Sequence, residues 1–226
     1  MEEADKKAVH IFDVDLTVIR KTSAWHFIKL AMKEKIINFS QISGLPIEWV
    51  KYKFARPDMS FIENTVKKLA GIEKTELDRI SEICFEKKIK PNIYKDAEHL
   101  IKNALNNNEK VIFATSSFDF IIKPLERYFR IEGSLACKLE YSEGKTTGRL
   151  DGHSFFGGGK KNAAQIWMEE NNIRREDVYF YSDSYTDIPL LEYCGNPAAV
   201  NPDGILARYA KKRGWKIMRF KDVLGN

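Results

Sequence analysis

The sequence has few cysteines, and none of them are spaced to bind a metal. Cys84, Cys137 and Cys194 are odd in number, far apart and never in a Cys-x-x-Cys pair. That argues against a disulfide framework or a zinc knuckle and makes a reducing cytosol the simplest home. The histidines (His10, His26, His99, His153) form no ligand-spaced pair. Apolar runs are short, as in Ile36-Ile37 and Ala198-Ala199-Val200, far below the roughly 20 residues that span a bilayer. The opening MEEADKKAVHIF is charged and then strand-like, which does not read as a signal peptide. A surplus of one charge sign is also missing. Lys and Arg number 37 against 32 Asp and Glu, a formal +5, too small and too dispersed to indicate nucleic acid. There is no internal repeat or low-complexity tract.

What is present is an ordinary globular composition. Apolar residues make up 43% and aromatics 12%, enough to exclude a disordered chain. The length of 226 residues allows one large domain or a core with a smaller insert.

Ala8 to Phe12 (AVHIF) reads as a short buried strand ending at Asp13. From about Ile19 to Pro91 apolar residues recur at helical spacing instead: Trp25, Ile28, Leu30, Met32 and Ile36, then Ile62, Val66 and Leu69, then Leu77, Ile80 and Ile83. Gly44, Pro46, Pro57 and Gly71 punctuate the stretch, which predicts an all-helical insert of about four helices. Beyond Pro91 strands and helices alternate. The predicted strands are 110–114, 178–181, 197–200 and 216–219. The predicted helices are 97–105, 119–128, 160–170, 188–193 and 206–212. A β-hairpin is predicted around Glu143-Gly144 within 135–150. The pattern is that of an α/β fold: a Rossmann-like parallel sheet with helices on both faces, plus the inserted all-helical cap and the β-hairpin.

In open α/β sheets ligands bind at the carboxyl ends of the strands, and three of these ends share one chemistry. They are Asp13-Val14-Asp15-Leu16-Thr17, Thr115-Ser116-Ser117, and Asp183-Ser184-Tyr185-Thr186-Asp187. Gly157-Gly158-Gly159-Lys160 opens a helix nearby in sequence. Carboxylates crowded at one rim repel unless a cation joins them. Oxygen ligands without His or Cys point to Mg²⁺. The Thr115 hydroxyl, the amides around it and the Lys160 ammonium can hold a phosphate. A carboxylate beside that phosphate can attack phosphorus, while a second one protonates the leaving alkoxide and then activates water. The lysine is Lys160 or Lys161. Ala164 and Trp167 lie at i+4 and i+7 from Lys160, on the face that would pack on the sheet, and this favours Lys160. Thr115 could equally cap the helix that begins near Asp119. The glycines are not a nucleotide P-loop, because the Gly-x-x-x-x-Gly-Lys-Ser/Thr pattern fails.

These motifs, in this order, resemble the haloacid dehalogenase-like superfamily, specifically its phosphoserine-phosphatase-like branch with a helical cap. The matching segments are DVDLT at Asp13 to Thr17, VIFATSSFD with Thr115, Lys160 in GGGKKNAAQIW, and DSYTDIPL at Asp183 to Leu190. VNPDGILARYAKKRGWKI also looks like the usual tail of the branch. The resemblance implies a core of 1–18 and 92–226 with a cap at 19–91. It implies Asp13 as nucleophile and metal ligand, and Asp15 as general acid/base that also offers a main-chain carbonyl to the metal. Asp183 would be a further metal ligand, and Asp187 would act through water or just outside the ligand set. Thr115, Ser116 and Lys160 would hold the phosphoryl group.

There are departures. Leu16 and Ser182 stand where the family often has Gly, and both are expected to crowd loops near the phosphate. Thr22 stands nine residues after Asp13, where phosphoserine phosphatases place a Glu for the substrate amine. The expected activity is therefore a Mg²⁺-dependent phosphomonoesterase acting through an aspartyl-phosphate on a small-molecule alcohol phosphate, in the cytoplasm. Alternatives are a lipid-phosphate phosphatase at a membrane surface, a phosphotransferase, or a non-hydrolytic phosphate- or protein-binding member. Lys51, Lys53 and Arg56 read as a solvated surface cluster, Trp25, His26 and Trp49 as cap core, and Cys137 as a small buried hydrophobe on a hairpin strand.

Overall fold

The computed structural model describes residues 7–38, 41, 63–64, 66–152 and 159–225. The strands are β1 (Val9–Phe12), β2 (Lys110–Phe118), β3 (Ser134–Cys137), β4 (Leu139–Ser142), β5 (Lys145–Leu150), β6 (Val178–Ser182), β7 (Asn196–Val200) and β8 (Lys216–Met218). The α-helices are α1 (Ser23–Lys33), α2 (Lys74–Cys84), α3 (Lys95–Asn106), α4 (Asp119–Phe129), α5 (Gly159–Glu170), α6 (Ile188–Tyr193) and α7 (Gly204–Arg213). A π turn over Phe85–Ile89 and a 3-10 turn over Lys90–Asn92 follow α2.

Six strands form one parallel sheet in the order β3-β2-β1-β6-β7-β8, and β4 pairs with β5 alone as an antiparallel hairpin. Parallel strands bury both faces, and β1 does so with side chains that alternate. Ile11 packs with Ala164, Met168, Leu190 and Leu206 on one face, and Phe12 packs with Ile101, Phe113, Leu125 and Phe129 on the other. Local signals mark both ends of α7. The Asp203 carboxylate accepts from the Ile205 and Leu206 amides at the start of α7, and Gly214 in the left-handed region (φ +69°) closes it, as residues of these types do at such ends.

Register positions the site. Phe12 lies opposite Phe113 on β2 and opposite Tyr181 on β6. The residues that follow these three, Asp13, Ala114-Thr115 and Ser182-Asp183, therefore leave the sheet along one rim. That rim is also where the topology reverses, since the chain runs from β1 to β2 and β3 on one side and to β6, β7 and β8 on the other. Such a switch point opens a crevice outside the strand ends.

Three sequence expectations need correction. Residues 134–137 are not part of the hairpin: they pair with β2 as an edge strand of the main sheet, which puts Cys137 there, fully buried. A strand alternates in the same way whether its neighbour is parallel or antiparallel, so periodicity could not separate the two. Trp25 is 46% exposed. The face that α1 buries is Ser23, Phe27 and Ala31, one stripe at i, i+4 and i+8 that the apolar count overlooked because one of its members is a serine. β2 continues past Thr115 to Phe118, with an irregularity in its pairing to β3 between Ala114 and Phe118. The expectations for Trp49, Lys51, Lys53, Arg56, Ile62, Gly157 and Gly158 lie outside the described residues.

The stretch that follows β1 and the stretch that precedes α3 lie side by side. The Tyr94 amide donates to the Val18 carbonyl and the Arg20 amide to that of Asn92, each at 2.9 Å. A second attachment comes from the hairpin. The amides of Gly71 and Thr146 donate to the carbonyls of Thr146 and Ile72 respectively, at 2.8 and 2.9 Å. The buried Thr146 hydroxyl accepts from the Ile72 amide at 3.0 Å and donates to the Leu69 carbonyl. Replacing Thr146 by Val keeps the shape but leaves two buried backbone groups without that partner, which costs about 1–3 kcal/mol. Thr146→Val is expected to lower the unfolding free energy by that amount, seen as a lower urea midpoint at an unchanged slope, whereas an unchanged midpoint would show that this hydroxyl holds nothing.

Candidate active site

The rim gathers the charged groups into a small buried cluster. β1 delivers Asp13, β6 delivers Asp183, the short 3-10 turn after it delivers Asp187, and α5 delivers Lys160. All four are at least nine-tenths buried. The Lys160 ammonium donates to Asp13 Oδ1 and to Asp187 Oδ2, both at 2.7 Å. Lys161 instead turns to Gln165 at 2.8 Å and lies over the Tyr193 ring. Of the two lysines left open above, Lys160 is the one at Asp13.

Asp13 Oδ2 and Asp183 Oδ1 each stand 3.5 Å from the Thr17 hydroxyl, at the outer limit for such a bond. Thr17 therefore separates two carboxylates more than it binds either. Burial pushes the Asp13 carboxyl up to about 7; Lys160 opposes this, while Asp187 and Asp15 add to it. Burial also lifts Asp183 well above the usual carboxylate range, with Asp13 and Asp187 contributing. Burial alone would depress the Lys160 ammonium, but the two carboxylates on it outweigh that and raise it. The cluster is thus short of positive charge. One ammonium faces Asp13, Asp183 and Asp187, which leaves two negative charges, the complement of one divalent cation.

Among the described residues no three His, Cys, Asp or Glu side chains gather as a metal-ligand cluster. A Mg²⁺ site does not require three, because this ion takes one or two carboxylates and keeps several waters. Asp13 and Asp183, separated by Thr17, fit that donor set, and they offer only oxygen.

Asp15 lies two residues from Asp13 in a different environment. Its Oδ1 accepts from the Ser23 amide at 2.8 Å and its Oδ2 from the Ser117 hydroxyl at 3.3 Å, both uncharged donors. Burial raises its pKa, and the bonds from Ser23 and Ser117 resist the rise. Thr115 is fully buried, and its hydroxyl accepts from the Ser117 amide at 3.1 Å. It does not cap α4, where Phe118 holds the capping position. Thr115 is linked to Asp15 through Ser117, and Ser116 is half-buried between them.

Ser182 does not crowd its loop as expected. Its hydroxyl donates to Asp187 Oδ2 at 2.7 Å and accepts from the Ser184 amide at 3.2 Å, so the side chain in place of Gly supports the carboxylate that holds Lys160. Leu16 does sit in the left-handed region (φ +64°), 43% exposed, where glycine is easiest to place. Thr17, Ser23, Ser117 and Ser182 are the polar members to which sequence reasoning assigned no role. Ser117 and Thr17 lay inside quoted motifs, whereas nothing in the sequence singled out Ser23.

The sequence and the fold are similar to those of known proteins. A sequence model of the haloacid dehalogenase-like hydrolases matches residues 11–192. The histidinol-phosphatase of Neisseria meningitidis serogroup C is 28% identical over 221 residues, spanning 95% of this chain and 100% of that protein. Phosphoserine phosphatase SerB1 of Mycobacterium tuberculosis is 28% identical over 222 residues, spanning 96% of this chain and 72% of that one. A solved Bordetella pertussis protein of unknown function superposes with a TM-score of 0.83 at 26% identity, over 94% of this chain and 98% of that one. A substrate-bound phosphoserine phosphatase shares the fold, with a TM-score of 0.66 at 20% identity over 95% and 93% of the two chains. With the match spanning most of its length and both sheet and hairpin in place, this chain belongs to the haloacid dehalogenase-like hydrolase family.

Proposed function

We propose that the chain is a Mg²⁺-dependent phosphomonoesterase that works through an aspartyl-phosphate on Asp13, with a small alcohol phosphate as substrate. We further propose that residues 1–18 and 92–226 form the catalytic core, and that 19–91 form a cap that closes over the substrate and excludes water. The observation that carries this reading is the division of labour between two carboxylates two residues apart. Asp13 is bonded to an ammonium, which favours its charged, attacking form against the rise that burial imposes. Asp15 is bonded to an amide and a hydroxyl instead of an ammonium, and burial raises it toward the form that carries a proton. Environments that push neighbouring carboxyl groups into different roles mark an acid–base pair.

The steps follow. An Asp13 oxygen attacks phosphorus as the bond to the alcohol oxygen breaks, and Asp15 gives its proton to that oxygen. Asp15, now a carboxylate, takes a proton from water. The water oxygen attacks phosphorus, the bond to Asp13 breaks, and inorganic phosphate leaves. Lys160, Thr115 and the main chain near Ser116 would bind the phosphoryl oxygens. Asp13, Asp183 and the Asp15 main-chain carbonyl would hold Mg²⁺, which neutralises charge on the phosphoryl group, with Asp187 holding Lys160 in place.

Two relatives are named for phosphoserine and histidinol phosphate. Thr22 precedes the first residue of α1, next to the Ser23 amide that binds Asp15. Position 22 thus offers a hydroxyl, not a carboxylate, beside the acid. This supports an alcohol phosphate recognised without an amine–carboxylate pair at that position.

Asp13→Asn should lower kcat on p-nitrophenyl phosphate by about three orders of magnitude or more; wild-type turnover in that variant would end the proposal. EDTA should abolish activity and Mg²⁺ restore it. At about 100 times its Kd, Mg²⁺ should also stabilise the wild-type fold by roughly 2.7 kcal/mol, or about 5–10 °C in Tm for a chain of this size. Asp183→Asn should lose most of that shift, and a shift of undiminished size would remove Asp183 from the metal site.

A further inference from the structure

The hydroxyl pair beside Asp15 is not used by the chemistry above. Ser23 is the first residue of α1, in the inserted segment, and is fully buried. Ser117 lies near the end of β2, in the sheet, and is 5% exposed. Their hydroxyl oxygens are 2.7 Å apart, and either can be the donor. Together with the Ser23 amide and Asp15 they close a ring: amide to Asp15 Oδ1, Ser117 hydroxyl to Asp15 Oδ2, and Ser23 hydroxyl to Ser117 hydroxyl. The two halves of the ring come from segments 94 positions apart in the chain, so it forms only when α1 is seated on the end of β2.

The ring has a direction on one side and none on the other. A backbone amide only donates, so Asp15 Oδ1 remains an acceptor whether or not the carboxyl group is protonated. A proton on Asp15 therefore belongs on Oδ2. The hydroxyl beside Oδ2 can serve both states, because a hydroxyl both donates and accepts. With Asp15 charged, the run of donors is Ser23 to Ser117 to Asp15. With Asp15 protonated on Oδ2 the same run can hold, because that oxygen still accepts from Ser117 while its proton points out of the ring. Both carboxyl oxygens are thus tethered, and the plane of the group is set.

We propose that Ser117 and Ser23 are positioning residues for proton transfer: their hydroxyl pair, with the Ser23 amide, orients Asp15 so that Oδ2 delivers its proton to the leaving oxygen. The inference rests on Asp15 being the general acid. It also ties that acid to the inserted segment, since one arm of the tether is the first residue of α1. A misplacement of a catalytic group by about 1 Å costs on the order of 100-fold, so losing one tether should be visible in turnover. The competing view is a buried hydroxyl pair that only fills space, whose loss would slow every substrate alike.

The two views separate by leaving group. Phenolate is a poor leaving group and needs the proton; p-nitrophenolate leaves with little help. The test is single-turnover release of phenol and of p-nitrophenol from phenyl phosphate and p-nitrophenyl phosphate with Mg²⁺-loaded enzyme, normalised to the amplitude of release so that only folded sites count. Single turnovers isolate the step in which Asp15 is the acid. Ser117→Ala is expected to slow phenol release about 10–100-fold and p-nitrophenol release by about 3-fold or less, with Ser23→Ala in the same direction. Asp15→Asn should show the same selectivity, more strongly. Equal losses on both substrates in Ser117→Ala, with selectivity retained in Asp15→Asn, would overturn the positioning role and leave the acid in place. Equal losses in Asp15→Asn would overturn the acid itself, and the inference with it. If Ser117→Ala gives no amplitude, Ser23→Ala is judged by the same two criteria.

Discussion

The buried ion cluster on Lys160 is what the rest of the active-site end depends on. Removing charges from water is expensive, and a buried ion is tolerated only when partners meet it closely. Here one ammonium is shared by Asp13 and Asp187 at 2.7 Å each, and Ser182 holds the second of these from behind. The partners come from β1, from α5 and from the turn after β6. The cluster therefore exists only once the central strands are in register and α5 has packed on the sheet through Ala164 and Met168. Even so the balance is incomplete. Burial raises Asp13 to about 7 despite the lysine and lifts Asp183 well above its ordinary range. An incompletely neutralised carboxylate pair next to a fixed ammonium suits a site that must receive both a divalent cation and a phosphate dianion.

Asp15 shows the opposite arrangement. Placed two residues further on, it passes out of the ionic cluster and into a ring of neutral donors. A single short loop thus presents two chemically identical side chains to different surroundings, one ionic and one merely polar. In the proposed mechanism that contrast, more than the presence of two aspartates, is what would fit the pair for attack and protonation in turn. One of the donors to Asp15 belongs to α1 and another to β2, so its setting depends on how α1 is seated.

Much of this was legible in the linear chain. The strands that carry the site alternate with helices whose apolar stripes are local, and Asp13, Asp15, Thr115, Lys160 and Asp183 stand out as polar groups at predicted strand ends and a helix start. Serines were the blind spot. Ser23 sits on the buried face of a helix whose apolar residues set the expectation, and a small hydroxyl carries no periodic signal. Ser182 was read through its size as a glycine replacement, whereas its effect comes from the hydrogen bond to Asp187. β3 was read into the hairpin because alternation says which faces a strand shows, not which neighbour it joins.

By itself, then, the sequence determined the order of elements, the identity of the polar groups at the strand ends, and the absence of soft metal ligands, because these follow from local propensity and residue chemistry. Only the tertiary structure decided between Lys160 and Lys161, made Ser182 a support, and moved residues 134–137 into the main sheet. It also left Trp25 at the surface and built the Ser23–Ser117–Asp15 ring. Each of these depends on distances between segments far apart in the chain, and those distances are set by sheet register and helix packing, which no local pattern encodes.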